Sequence, residues 1–502
     1  MSDEHVHVAL RSDASLVVIE APAGCGKTHQ GSEYAKDIAL RPHPGRPLIL
    51  THTHAACSVF SERTKGSSKV EIRTIDSLVA QIAGAYHAGL GLPPNIPAWI
   101  RQGDGTHQEL ASRVASLLRR HPMIAASLAR RHPIVICDEH QDSSVDQHSL
   151  VMALYEQGAT VRIFGDPMQS IFSGRGSSAT YDWDALTGQA QVFERLSTPH
   201  RWATGCPQLG QWILKAREVL RTGGRIDLRA SIPPSVVIVC AENQSQRNFD
   251  YQLSSGDRRQ VDSFEQGQPS LLVLTHYNQT ARSLRSFFNR RIALWEGHTR
   301  EALDNLVKKI GGVTCETAAM AAAIVDFMGE VGKGFSPSAF GNAFQQEVAH
   351  GCTASRRGKP AKIQCLARLL LEEPNHRGVA KVLRGIFDLS RNDAYFAAVE
   401  IDCLSEFWDA IRLSEYDEVD TGLSQLTNRR TYSRPAPPTR ALSTIHKAKG
   451  LECERVIVLP CDAKTFPDKP ETRRLLYVAL SRARRNLMLV VSRANPSPLF
   501  LF

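Results

Sequence analysis

The sequence predicts an α/β protein with two cores of parallel β-sheet flanked by helices, plus helical inserts. Three observations predict it. Short β-branched runs alternate with helix-like stretches through the first 170 residues. A second set of such runs follows between about 235 and 491. A glycine-rich loop ending in Lys27-Thr28 lies between the first strand and the first long helix.

The first set comprises Leu16-Val17-Val18-Ile19, Leu48-Ile49-Leu50, Val70-Glu71-Ile72, Ile134-Val135-Ile136-Cys137 and Val161-Arg162-Ile163-Phe164. Most lack polar–apolar alternation, as strands covered on both faces do. Helix-like stretches such as Gln30 to Leu40 and Gln147 to Gln157 separate them, and a helical insert is expected at about 80–131. The second set runs Ser235 to Cys240, Ser270 to Thr275, Ala441 to Ile445, Arg455 to Leu459 and Leu487 to Val491. A mainly helical stretch at 291–436 splits it, with a buried helix expected over Thr317 to Phe327 and a boundary at Arg434-Pro435-Ala436-Pro437-Pro438.

Composition narrows the class. At 42% hydrophobic and 22% charged, the 502 residues exclude collagenous, coiled-coil and wholly disordered chains. With roughly 100–200 residues per domain, three or four domains are expected. No apolar run approaches the ~18–20 residues of a membrane span. The opening Met1-Ser2-Asp3-Glu4-His5 is acidic rather than signal-like, so a cytoplasmic protein is expected. The net charge of +9 permits a polyanion partner. The 11 cysteines contain no CxxC pair, and the 18 histidines no HExxH, which argues against a zinc, iron–sulfur or disulfide framework.

Two motifs carry chemistry on their own residues. In Ala21-Pro22-Ala23-Gly24-Cys25-Gly26-Lys27-Thr28, the backbone of Ala23 to Thr28 is expected to cradle phosphates at a helix N-terminus. Lys27 would reach the β- and γ-phosphates of ATP, and the Thr28 hydroxyl would ligate Mg²⁺. In Cys137-Asp138-Glu139-His140-Gln141-Asp142, the carboxylates follow a buried strand. Asp138 is expected to hold Mg²⁺ and Glu139 to polarise the attacking water. The bland alternatives are a glycine-rich turn and a helix N-cap.

Asp138 to Asp142 resembles the second motif of UvrD/Rep-type superfamily 1 helicases. Gly165-Asp166-Pro167-Met168-Gln169-Ser170-Ile171-Phe172 resembles their third motif, Thr444-Ile445-His446-Lys447-Ala448-Lys449-Gly450-Leu451-Glu452 their fifth, and Arg473 to Ala483 their sixth. The resemblance implies two RecA-like cores: residues 1–195, and 196–290 with 437–502, the stretch 291–436 being an insert. It implies that Gln169 contacts the γ-phosphate or attacking water, that Arg201 and Arg482 neutralise transition-state charge, that Glu452 bonds the ribose, and that His200 stacks on adenine where Tyr is usual. The family's Gln-containing adenine-reading segment has no counterpart here.

On the DNA side, Thr51-His52-Thr53-His54 resembles motif Ia and Thr74-Ile75-Asp76-Ser77 motif Ib. Thr51, His52, His54, Thr74, Ser77, Phe172, Thr444 and His446 are thereby expected on DNA. Gly174 replaces the base-stacking aromatic that follows motif III, leaving Phe172 and Trp183 as substitutes or as core residues. The pairs Arg290-Arg291 and Lys308-Lys309, with Arg356-Arg357-Gly358-Lys359, read as duplex-phosphate contacts or a solvated face.

The resemblance implies an ATP-dependent helicase or translocase moving 3′-to-5′ on single-stranded DNA. The chain extends only 18 residues past Arg484, so any nuclease is expected on a separate subunit. Compact UvrD-like proteins of this size occur in the Gabija anti-phage system beside an OLD-family, TOPRIM-type nuclease; repair is the other setting. The rival class is a regulatory ATPase that senses nucleotide or DNA ends and switches a partner nuclease. A small-molecule P-loop kinase leaves Gln169, Arg201, Glu452 and Arg482 without a role.

Overall fold

The computed structural model describes residues 2–40, 44–64, 69–100, 106–172, 181–242, 244–247, 250–295, 300–311, 316–433 and 438–502. Gly174 and the boundary residues 434–437 lie outside the described residues. The chain divides into two compact units, Met1–Phe287 with Thr444–Phe502, and Phe288–Ser443.

In the first unit, β1 (Leu16–Glu20), β2 (Leu48–Thr51), β3 (Glu71–Thr74), β4 (Ile134–Cys137), β5 (Thr160–Gly165) and β6 (Val192–Arg195) form a parallel sheet in the order β3-β2-β4-β5-β1-β6. All strands run the same way, so the residues that follow β1, β2, β4 and β5 share one edge, where open α/β sheets bind ligands. The missing alternation has a direct cause. Leu16, Val18, Leu48 and Leu50 pack on one face with Leu78, Leu110, Val114 and Leu150. Val17, Ile19 and Ile49 pack on the other with Val6, Leu10, Tyr34 and Phe60.

Strand β6 had no apolar run to announce it. After Val192 and Phe193 come Glu194 and Arg195, tolerated because β6 is a sheet edge. The helix α1 (Ser2–Arg11) packs against β6 and α2 (Lys27–Leu40). Arg162, buried in the middle of β5, donates to the carbonyls of Leu10 (2.8 Å), Ser12 (3.0 Å) and Ala14 (2.8 Å). A buried guanidinium is tolerated only when its donors are satisfied in this way.

The same unit holds a second parallel arrangement, in which Leu271–Thr275, Cys453–Cys461, Ala483–Ser492 and Val236–Ala241 lie side by side. The architecture is thus α/β, with parallel sheets flanked by helices as in RecA-like cores. Among the described residues, no helix is long and apolar enough to cross a membrane.

The second unit is mainly helical. Glu301–Gly311, Thr317–Val331, Lys359–Glu372, His376–Asn392 and Leu404–Arg412 bury Leu303, Ile324, Phe327, Leu366, Leu383 and Phe407 in one core. The alanine-rich run forms the helix Thr317–Val331, with Ala321 and Ala323 inside and Ala318 exposed. Three of the basic clusters are partly neutralised by carboxylates. Arg290 meets Asp402 at 2.9 Å, Lys309 meets Asp326 at 2.6 Å and Arg356 meets Glu347 at 2.7 Å.

Candidate functional site

Beyond Glu20 the chain turns through Ala21–Gly26 into α2. Gly24 and Gly26 have φ of 74° and 85°, the left-handed region that glycine enters without penalty. Space forbids a side chain as well. A Cβ on Gly24 would lie 2.8 Å from Arg201 Cβ and from Trp202 Cζ3. The turn His200–Trp202 therefore packs directly on the loop, and the Arg201 N–H donates to the Gly24 carbonyl at 3.1 Å. The Ala23 N–H donates to the Tyr477 hydroxyl at 2.9 Å, so this amide of the expected cradle is already engaged. Burial pushes the Cys25 thiol up to about 12, and it packs as a small core residue.

Lys27 opens α2 and is buried. Its ammonium pairs with Glu139 and lies 3.8 Å from Asp138 Oδ1. Burial favours the neutral amine, but Glu139 and Asp138 overrule it and hold the group above the ordinary lysine range. The two carboxylates are driven apart. Burial raises Asp138, with Lys27 opposing and Glu139 adding to the rise. Burial also resists ionisation of Glu139, yet Lys27, Lys449 and a hydrogen bond from Gln141 bring it below the usual carboxylate range. Glu139 further sits at φ 54°, a left-handed conformation costing a non-glycine residue on the order of 1–3 kcal/mol.

Behind these groups runs a buried polar network. Gln141 Nε2 donates to Glu139, and its Oε1 accepts from the Asp166 N–H at 3.0 Å. Gln169 Nε2 donates to Asp166 Oδ2 at 2.9 Å, so its amide faces Asp166 here. Arg217, on the helix Pro207–Arg221, spans Asp166 and Glu20, each at 2.6 Å. Burial works against its charge, but Asp166 leads the groups that hold it firmly protonated.

The second sheet contributes from the other side. Arg201 pairs with Glu452 and donates to the Ser481 carbonyl at 2.6 Å. Arg482 is 3% exposed and turns back on its own helix, donating to Val478 O at 2.9 Å, Ser481 Oγ at 2.8 Å and Leu451 O at 3.3 Å. Burial and the neighbouring Arg201 lower it to about 10. Lys449 reaches across to Asp142 at 2.5 Å and to the Gln169 carbonyl at 2.7 Å. His200 lies over Gly26, where a Cβ would meet its Cδ2 at 3.2 Å. His200 Nε2 is 2.9 Å from Asp3 Oδ1, and Thr198 donates to Asp3 Oδ2 at 2.7 Å. Thr28 is partly exposed beside Lys27 in sequence. Lys27, Asp138 and Glu139 are thus brought into contact, as are Arg201 and Glu452, while the guanidinium of Arg482 is occupied by carbonyls.

The residues expected on DNA divide differently. Thr51 is 1% exposed and donates to Thr53 O at 3.1 Å. Thr74 is buried, its hydroxyl capping the helix Ile75–Ala85 through the Ser77 N–H at 3.2 Å, while Ser77 Oγ donates back to Thr74 O. His52 Nε2 lies 3.0 Å from Ser143 Oγ, and burial lowers its pKa. The Thr444 hydroxyl is buried and accepts from the Lys447 N–H at 3.4 Å. These groups are occupied by local structure, the helix-cap chemistry of threonine in particular. The side chain of His54 lies outside the described residues. Phe172 and His446 are both accessible, with ring centroids 6.2 Å apart. Trp183 packs on Gly165, where a Cβ would meet its ring at 2.5 Å.

Sequence reasoning assigned no role to Gln141, Asp142, Asp166, Arg217, Lys449 or Tyr477. One signal was present: Arg217 stands beside Ala216 on the buried stripe Leu209, Ile213, Ala216, Leu220. A cation on an apolar stripe requires a buried partner.

Two family models match the chain. The UvrD/REP helicase N-terminal domain matches residues 106–181, which include Asp138, Glu139 and Gln169. The UvrD-like helicase C-terminal domain matches residues 441–490, which include Lys449, Glu452, Tyr477 and Arg482. No curated protein matches the chain. With the two matched stretches meeting around one glycine loop and its carboxylates, the chain carries an N-terminal and a C-terminal domain of the UvrD-like helicase type.

Proposed function

We propose that the chain hydrolyses ATP with Mg²⁺ at the Lys27 pocket and uses the cycle to move 3′-to-5′ along single-stranded DNA. The observation that carries this is the buried Lys27–Glu139–Asp138 cluster beneath two left-handed glycines, with Arg201 and Tyr477 bonded to the same loop. The donor set fits a metal triphosphate. A lysine ammonium paired only with carboxylates can turn to phosphate oxygens. Thr28 and Asp138 would supply the oxygens for Mg²⁺, and a cation would offset the burial, and the Glu139 charge, that raise Asp138. Mg²⁺, when bound, neutralises phosphate charge. Glu139, held ionised, orients and polarises water. Arg201 and Arg482 supply positive charge once released from Glu452 and from the backbone carbonyls, which gives the triphosphate a means to rearrange the cleft. His200, oriented by Asp3, offers a ring to the base. The partner we propose is a separate nuclease subunit, in repair or anti-phage defence, on the resemblance to compact UvrD-like subunits that work beside one.

The test measures ATP turnover with and without single-stranded DNA, and displacement from duplexes with a 3′ or a 5′ single-stranded tail. DNA-stimulated turnover with displacement of 3′-tailed duplexes alone is expected. Displacement confined to 5′-tailed duplexes overturns the polarity.

A second reading, a regulatory ATPase that switches a nuclease with little unwinding, draws support from a specific observation. The motif Ia and Ib side chains Thr51, His52 and Thr74 are bonded within the protein, and Asp76 accepts from Gln147 at 2.7 Å. Nucleotide binding with neither DNA stimulation nor displacement favours it.

A further inference from the structure

The two carboxylate oxygens of Asp166 do different work. Oδ1 accepts from Arg217 Nη2 at 2.6 Å, from Arg217 Nε at 3.1 Å and from the Met168 N–H at 3.1 Å. Oδ2 accepts from Gln169 Nε2 at 2.9 Å. Asp166, Arg217 and Gln169 are all buried, Asp166 completely, so little water competes for these bonds. Arg217 also donates to Glu20 Oε1 at 2.6 Å and to the half-exposed Glu218.

Three donors on one oxygen fix the rotation of the carboxylate about its Cβ–Cγ bond, and with it the place of Oδ2. Oδ2 in turn fixes the Gln169 amide. A carboxylate only accepts, so Nε2 must face it and the amide carbonyl must turn away. Charge balance alone does not call for this arrangement. Glu20 has a second cation in Arg195 at 3.2 Å, and a lysine at position 217 would neutralise Asp166 as a point charge. A lysine has no second nitrogen to share Oδ1 with the first, so the carboxylate could turn beneath it. The planar fork of Arg217 adds a direction to the charge.

We propose that Arg217 is a positioning residue for ATP hydrolysis: by clamping Asp166 Oδ1, it fixes which end of the Gln169 amide is offered at the reacting phosphate. The proposal rests on the hydrolysis reading above, with Gln169 acting there, and adds a residue outside both matched family stretches. The end turned away from Asp166 is the carbonyl oxygen, an acceptor that suits a hydrogen of the attacking water.

The test follows release of radiolabelled phosphate from ATP by the full chain with oligothymidylate present, over hours so that slow turnover is readable. Equilibrium binding of a fluorescent ATP analogue and urea midpoints accompany it. Arg217→Lys is expected to bind the analogue within about threefold of wild type while kcat falls about 10- to 100-fold, the cost of a misplaced reacting group. Asp166→Asn is expected to lower kcat alike. Arg217 and the Met168 N–H still demand an acceptor at the Oδ1 position, so the new amide nitrogen meets Gln169 Nε2 and the Gln169 amide must turn over. The Asp166 N–H, which donates to Gln141, is main chain and stays in every variant. The deciding comparison is the Gln169→Ala background, where neither substitution is expected to lower kcat further, since both act through that amide. Glu218→Gln, at the outer partner of Arg217, is the control expected to leave kcat unchanged. Asp166→Asn, which keeps the shape of the side chain, carries the test where Arg217→Lys shows no cooperative urea transition. Wild-type kcat in Arg217→Lys, or equal fold losses with and without Gln169, overturns the positioning role and leaves the hydrolysis reading standing. A wild-type chain that releases no phosphate overturns that reading and the proposal with it.

Discussion

Tyr477 and Ala23, 454 residues apart in sequence, share a hydrogen bond of 2.9 Å in which the phenol accepts from a loop amide. Both residues are buried, Tyr477 completely, so the amide has little recourse to water. The C-terminal matched stretch thereby holds the glycine loop of the N-terminal part by its backbone. Tyr477→Phe keeps the ring and removes only the acceptor. The expected result is a loss of about 1–3 kcal/mol, the cost of an unsatisfied buried donor, read from urea unfolding. Unchanged stability would show that the amide finds another acceptor.

Arg217 stands between Glu20 and Asp166, both buried. Arg217→Met leaves Asp166 without its cation and Glu20 with Arg195 alone, at 3.2 Å. Breaking a buried ion pair from one side costs about 3–5 kcal/mol, and this variant is expected at the upper end or unfolded. The double variant with Asp166→Asn should recover part of the loss. Additive losses in the double-mutant cycle would place the two residues in separate networks.

Glu139→Gln and Lys27→Ala separate binding from chemistry. Glu139→Gln is expected to retain ATP in equilibrium binding while turnover falls at least about 10²-fold, the usual contribution of a positioned base. Lys27→Ala is expected to weaken binding itself. Normal hydrolysis by Glu139→Gln protein would remove that carboxylate from the chemistry.

His140 and His148 make stability fall in mild acid. Their ring nitrogens are 3.0 Å apart, and Tyr181 stacks on His148 at 4.2 Å. Burial holds His140 well below its ordinary value of 6.5 and brings His148 down to about 4. Between those values the unfolded chain binds protons that the folded chain refuses, so stability rises with pH across this window. It is fully present above pH 6.5 and declines as pH falls towards 4, by up to about 1.4 kcal/mol per unit for each ring. Denaturant midpoints from pH 7 to 4.5 check this. His148→Phe, which keeps the stack, is expected to flatten the decline, and an unaltered slope would assign the acid sensitivity elsewhere.

The two cores were legible because their strands are short β-branched runs buried on both faces, and because Gly24, Gly26, Lys27, Asp138 and Glu139 follow strand ends in a recognisable order. Strand β6 was not, since an edge strand with Glu194 and Arg195 carries no apolar run. At the site, residue type was readable and side-chain direction was not. Thr74 reads equally well as a phosphate contact or a cap, and only the following helix decides for the cap. Gln169 was expected to face the nucleotide, but Asp166 holds its amide. Arg217, Tyr477 and Lys449 depend on partners 51, 454 and 307 residues away, whose identity no local pattern encodes.

The guanidinium inside β5 has a practical consequence for the start of the chain. Its acceptors are the carbonyls where α1 ends and the following turn enters the sheet. A protein shortened to begin after Ala14 would strip this cation of three carbonyls, leaving it only the Val161 carbonyl at 3.2 Å and the Tyr34 ring. The stretch from Leu10 to Ala14 therefore acts as a keystone for the strand, and trimming it should yield insoluble material.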